Sequence, residues 1–227
     1  MVAAVRTTTQ GLVLAFLGAV LVRLSWEGAY LHFVTGWMRW PLLVTGVVLV
    51  LLAVRPIVGG GEREEHPVPA ATWLLLLPAL VVFLVSPQPL GAYLAERRAD
   101  EAPPVSPVAS FAPLPDAPGA VPLEVEELLW RALDENATLA GRSVEVEGFV
   151  SHGEDGRWFA TRMVIGCCAA DAAVVRVRVE GADRPARNSW VAVTGAWRDG
   201  TGAEPGSEAI LDAESVRPIP TPADTYG

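Results

Sequence analysis

The sequence predicts two classes in one chain: a membrane α-helical N-terminal part with three spanning helices, then an all-β C-terminal domain. Two observations predict the division. Apolar residues make up 51% of the chain but saturate roughly the first ninety positions and thin out afterwards. Beyond Gly141, helical periodicity gives way to alternation of apolar and polar residues, the pattern of half-buried strands. A third observation, a run of prolines, separates the two.

Three stretches, at about 11–30, 38–58 and 70–89, are long and apolar enough to span, since about 20 apolar residues cross a hydrocarbon core. The first competes with a cleaved signal peptide, but its apolar run is too long and ends in Arg23, Trp26 and Glu27. Pro78 is expected to kink the third. Arg6 precedes the first stretch, and Arg55 and Arg63 lie between the second and third. The positive-inside rule therefore leans to a cytoplasmic N-terminus and an extracytoplasmic C-terminal domain. Trp26, Tyr30, Trp37 and Trp40 are expected at the outer interface, as an aromatic belt. Arg23 and Glu27, four apart on one helix face, can pair, facing a bundle interior or snorkelling to headgroups. The helices anchor the chain in the bilayer or dock onto another membrane protein. His66 and its glutamates, after Gly59-Gly60-Gly61, read as a solvated loop rather than a metal site.

Residues 1–92 form the expected membrane region, 93–122 a tether, 123–220 the β domain and 221–227 a tail. Pro103, Pro104, Pro107, Pro113, Pro115, Pro118 and Pro122 favour an extended spacer that cannot nucleate a core. A helix opens the β domain, with Val125, Leu128, Leu129, Ala132 and Leu133 on one stripe and Glu124, Glu126 and Glu127 in its first turn. Strand-like runs follow at 143–150, 158–165, 172–180, 190–197 and 209–219. Five short strands without a βαβ pattern fit a closed or nearly closed barrel, which removes exposed edges; an OB-like barrel fits the count, with a small sandwich as the alternative.

The net charge of −9 is unevenly spread: from Gly91 onward 22 Asp/Glu stand against 12 Arg, leaving roughly +1 for the membrane part. An acidic domain is a poor partner for phosphate backbones, so nucleic acid is not expected. Trp158, Phe159, Trp190 and Trp197 therefore read mainly as core or interface aromatics. No triad, metal-hydrolase or phosphate-loop motif occurs, and an enzyme is not expected.

Chemistry is hinted at in one place, Gly166-Cys167-Cys168-Ala169-Ala170-Asp171, which holds both cysteines of the chain. Four readings are open. The pair can ligate a thiophilic cation such as Zn²⁺, with Asp171 or His152 adding a ligand, provided Gly166 or the next turn bends the chain. It can form a strained vicinal disulfide, bridge to another molecule, or fill space as small apolar thiols. Asp171 also reads as a turn residue capping the backbone.

Pro87-Gln88-Pro89-Leu90-Gly91, Gly148-Phe149-Val150, Arg162-Met163-Val164-Ile165-Gly166-Cys167-Cys168-Ala169-Ala170-Asp171 and Trp190-Val191-Ala192-Val193-Thr194-Gly195 together resemble the YcgQ-like family of permease subunits. The resemblance implies a bacterial plasma-membrane protein with an OB-like C-terminal half. It further implies pairing with a separate multi-helix permease, association with zinc homeostasis and no enzymatic activity. Relatives often carry a histidine-rich loop between the second and third helices; this chain has only His66 there. A membrane-anchored thiol redox protein, and a binding module with structural cysteines, are the alternatives.

Overall fold

The computed structural model describes residues 2–58, 77, 80, 81, 84, 91–98, 111–116, 118–133, 138–202 and 207–226. The chain divides into two compact units, Met1–Gln88 and Pro89–Gly227.

In the first unit, α1 (Val2–Glu27) and α2 (Arg39–Val58) pack along each other. Pro41 sits in the first turn of α2, where its missing N–H would have no helical partner anyway. Among the described residues one helix is long and apolar enough to cross a membrane, Gly36–Val54. That feature is compatible with a membrane protein. Three spanning helices are not shown. The expected third stretch, apart from Leu77, Leu80, Val81 and Leu84, lies outside the described residues, as do Pro78 and the His66 loop.

The two helices meet where their side chains are smallest. A Cβ on Gly18 would lie 2.6 Å from the Gly46 carbonyl oxygen, and one on Gly46 would lie 2.9 Å from that of Gly18. Small residues that let backbones approach are how apolar helices associate in lipid. Gly46→Val is therefore predicted to force the pair apart and cost about 1–3 kcal/mol. Thermal unfolding in detergent, followed by the helical circular-dichroism signal, checks this; an unchanged midpoint would show that the close approach contributes nothing. Arg23 and Glu27 do pair, Nε to Oε1 at 3.0 Å, on an exposed face. Trp26, Trp37 and Trp40 are exposed as a belt requires, but Tyr30 is buried in the turn after α1, its hydroxyl donating to the Gly36 carbonyl at 3.4 Å.

The second unit is built on a six-stranded mixed sheet: β1 (Val121–Leu123), β2 (Ser143–His152), β3 (Trp158–Val164), β4 (Ala173–Glu180), β5 (Trp190–Trp197) and β6 (Ile210–Pro218). The order is β1-β2-β3-β4-β6-β5, and β5 pairs back onto β2, so five strands form a ring. Within that ring only the β4–β6 pairing is parallel. The short β1, which the alternation rule did not anticipate, lies parallel to β2, with Val121 opposite Val144.

Alternation places Val144, Val146 and Val150, then Val175, Val177 and Val179, in the main core with Ala160, Val191, Val193 and Leu211. Helix α4 (Val125–Ala132) packs on β2, β3 and β4 through Val125, Leu128 and Ala132. Leu133 departs from the expected stripe and is 47% exposed, since the helix has ended by then. The four aromatics singled out in the sequence, Trp158, Phe159, Trp190 and Trp197, are all buried.

A second core lies apart from the first. Phe149, Met163, Ile165, Ala172, Val174 and Trp190 meet Ala92 and Ala95 of a short helix, α3 (Ala92–Arg97), and Tyr226 from the tail. Polar contacts pin α3. Asn188 Oδ1 accepts the Ala92 N–H at 3.0 Å, while Glu96 accepts from the His152 backbone N–H at 2.9 Å and from Arg187. The stretch expected as a tether thus begins with a helix seated on the strands. It ends on them too, because Leu114 is buried in the main core, Arg131 donates to the Ala112 carbonyl at 2.9 Å, and β1 follows.

Candidate metal centre

The cysteines lie on the connection between β3 and β4. The strands close on each other at Val164 opposite Ala173, and residues 165–172 form the loop between them. Both ends of the loop are fixed: Ile165 and Ala172 are buried in the second core, and Arg98 Nη1 donates to the Ala172 carbonyl at 2.7 Å. A 3₁₀ turn, Ala169–Asp171, fills the second half, with the Asp171 N–H donating to the Cys168 carbonyl at 3.0 Å.

Asp171 organises the loop. Its Oδ1 accepts the N–H of Gly166 at 3.1 Å and that of Cys168 at 3.3 Å, and its Oδ2 accepts the N–H of Cys167 at 2.8 Å. Three consecutive amides converge on one carboxylate, and those donors, with the Cys167 thiol, hold its pKa below the usual range. This is the capping role the sequence offers for an aspartate three residues after a turn begins. Gly166 takes no left-handed conformation, so it is needed for space rather than for a bend. A Cβ there would lie 3.1 Å from Asp171 Oδ2. The turn itself supplies the bend.

The result is a compact donor set. One ligand atom each from Cys167, Cys168 and Asp171 lie within 4.8 Å of one another. Cys167 and Asp171 are exposed and Cys168 is half-buried; both thiols are free. Two sulfurs and a carboxylate oxygen at this spacing suit a thiophilic divalent ion, Zn²⁺ being the commonest that accepts such a set. His152, the other histidine or acid weighed from sequence, is not brought in. It pairs with Trp158 at the far end of β3, roughly 20 Å along the strand, and its Nε2 lies 3.1 Å from the Pro185 carbonyl. Sequence reasoning missed Arg98, which fixes the loop from 74 positions away in the chain; nothing local to either residue signals the pairing.

The electrostatics bear on the chemistry. Hydrogen bonds to Asp171 and Cys168, with the negative charge on Asp171, push the Cys167 thiol up to about 11. Without a cation it stays protonated at neutral pH, which makes it a poor nucleophile. At about pH 8 roughly a thousandth of it is thiolate, against about a tenth for a thiol at the ordinary value of 9.0. We therefore predict that alkylation of Cys167 in the metal-free chain is slow near neutrality and climbs towards about pH 11. Asp171→Asn removes the charge and should bring the profile back towards an ordinary thiol. Mass-spectrometric alkylation rates across pH measure this, and an ordinary profile in the unaltered chain would refute the coupling.

Residues 128–227 match the family model described as DUF1980 C-terminal domain. The match takes in most of α4, the five ring strands and the cysteine loop. No curated protein and no solved structure matches the chain.

Proposed function

We propose that the chain is a non-catalytic accessory subunit of a bacterial membrane permease in zinc homeostasis, presenting Cys167, Cys168 and Asp171 to a thiophilic metal ion. One observation carries the reading: three metal-ligating atoms within 4.8 Å of one another on an exposed, tightly tied loop. Neither thiol belongs to a core cluster, so packing does not account for the pair. The alternative of a thiol redox protein needs a lowered cysteine pKa, whereas Cys167 is pushed upward. For a metal site the same carboxylate is an asset, since the thiols release their protons as the ion binds and Asp171 then faces a cation.

The ring order β2-β3-β4-β6-β5 with its single parallel pair supports an OB-like barrel as the platform. The apolar Gly36–Val54 helix supports attachment to a membrane; the multi-pass plasma-membrane topology rests on the three apolar stretches of the sequence. A cytoplasmic N-terminus, an extracytoplasmic site and a multi-helix permease partner complete the proposal; they rest on arginine placement and on the family resemblance.

A cellular experiment tests it. In a strain lacking the chain, growth under zinc limitation and zinc excess is compared after restoring the natural chain or its Cys167→Ser/Cys168→Ser form. The natural chain is expected to restore the zinc response and the double-serine form to fail. Full restoration by the double-serine form refutes the metal role. Unchanged abundance and zinc response after loss of the permease refute the subunit role.

A further inference from the structure

Resting on the metal reading above, we infer that this loop is an exchange site, which holds its ion with three protein donors and passes it directly to a thiol-bearing carrier. The carrier's sulfur enters the fourth position before the ion leaves.

Closed tetrahedral Zn²⁺ sites have four protein ligands, whereas sites with three keep a position open to water or an incoming molecule. Among the described residues the donor group comprises Cys167, Cys168 and Asp171. Its exposed members face solvent rather than the core, so an incoming sulfur meets no barrier of packed side chains. Asp171 is the ligand that yields. Both of its oxygens already accept backbone N–H groups from Gly166, Cys167 and Cys168, so the carboxylate keeps a full set of partners when it lets go of the ion. The amides hold the loop in place throughout, leaving the two sulfurs presented in one arrangement before and after transfer.

The step is ligand substitution, and no electron moves. Each carrier thiol gives its proton to water as its sulfur bonds to the ion. Cys167 and Cys168 take protons from water as their bonds break. Two thiols exchanged for two leave the proton count unchanged. A soft carrier is the partner because it matches the sulfurs it replaces.

The test uses the full chain in detergent, loaded with Zn²⁺, and an excess of the dithiol chelator dimercaptosuccinate. Direct exchange predicts a transfer rate that doubles with each doubling of chelator. A rate independent of chelator concentration, set by spontaneous dissociation, overturns the inference while leaving the metal site standing. In a parallel measurement, the Co²⁺-loaded chain is expected to shift its visible absorption when 2-mercaptoethanol fills the open position. An unchanged spectrum likewise overturns the inference. A chain that takes up neither ion removes the metal reading and this inference together.

Discussion

Replacing Cys167 and Cys168 together with serine is expected to abolish Zn²⁺ binding by the full chain. The loss should exceed about a hundredfold in affinity, the scale reached by removing even outer partners of a metal ligand. The reason is the composition of the site. Serine hydroxyls do not ionise near neutrality as thiols do when a cation is present, so only the Asp171 carboxylate remains, and its oxygens already serve three amides. Titration against a competing zinc indicator measures the change. The double-serine form should keep its fold, because Cys167 is exposed and Cys168 half-buried, and neither belongs to a core cluster. Equal affinity in the two forms would place the binding elsewhere in the chain.

The second large effect is on stability. Leu128→Ala is expected to cost about 2–5 kcal/mol. Leu128 is fully buried in the main core, on the α4 face packed against β2, β3 and β4, and truncation leaves a cavity that rigid strands close only in part. Denaturant unfolding read through the buried Trp158, Trp190 and Trp197 detects it. Leu133→Ala is the control. At 47% exposed it should change stability by less than about 0.5 kcal/mol, although both residues lie on the same stripe in the sequence. Equal effects would mean that the helix runs further than Ala132.

That pair of leucines illustrates how much of the fold was legible. Helical spacing predicts both as core; only the point where α4 stops separates them, and no proline or glycine marks it. The ring strands were legible because alternation of valine with charged residues, as in Val175-Arg176-Val177-Arg178, has one sensible burial pattern. The three-residue β1 was not, being too short for any period to register and containing Pro122. At the site, the residue types and the role of Asp171 as a backbone cap could be read locally, since the partners lie within five positions. The exclusion of His152 could not, because it depends on the direction in which β3 carries the chain away from it. The second core was also hidden. Tyr226 lies in a tail whose polar composition says nothing about docking, yet it is almost fully buried.

The seating of α3 changes what the proline-rich run can be. A spacer between membrane and domain sets how far the domain roams. Here the helix before the run and the strand after it both rest on the same strands, α3 through Ala92, Ala95 and the Glu96–Arg187 pair, and β1 through its register with β2. The covalent route from the first unit therefore reaches the strands at Ala92, ahead of the run. A cut among those prolines would leave the contacts of Ala92, Ala95 and the Glu96–Arg187 pair with the strands in place.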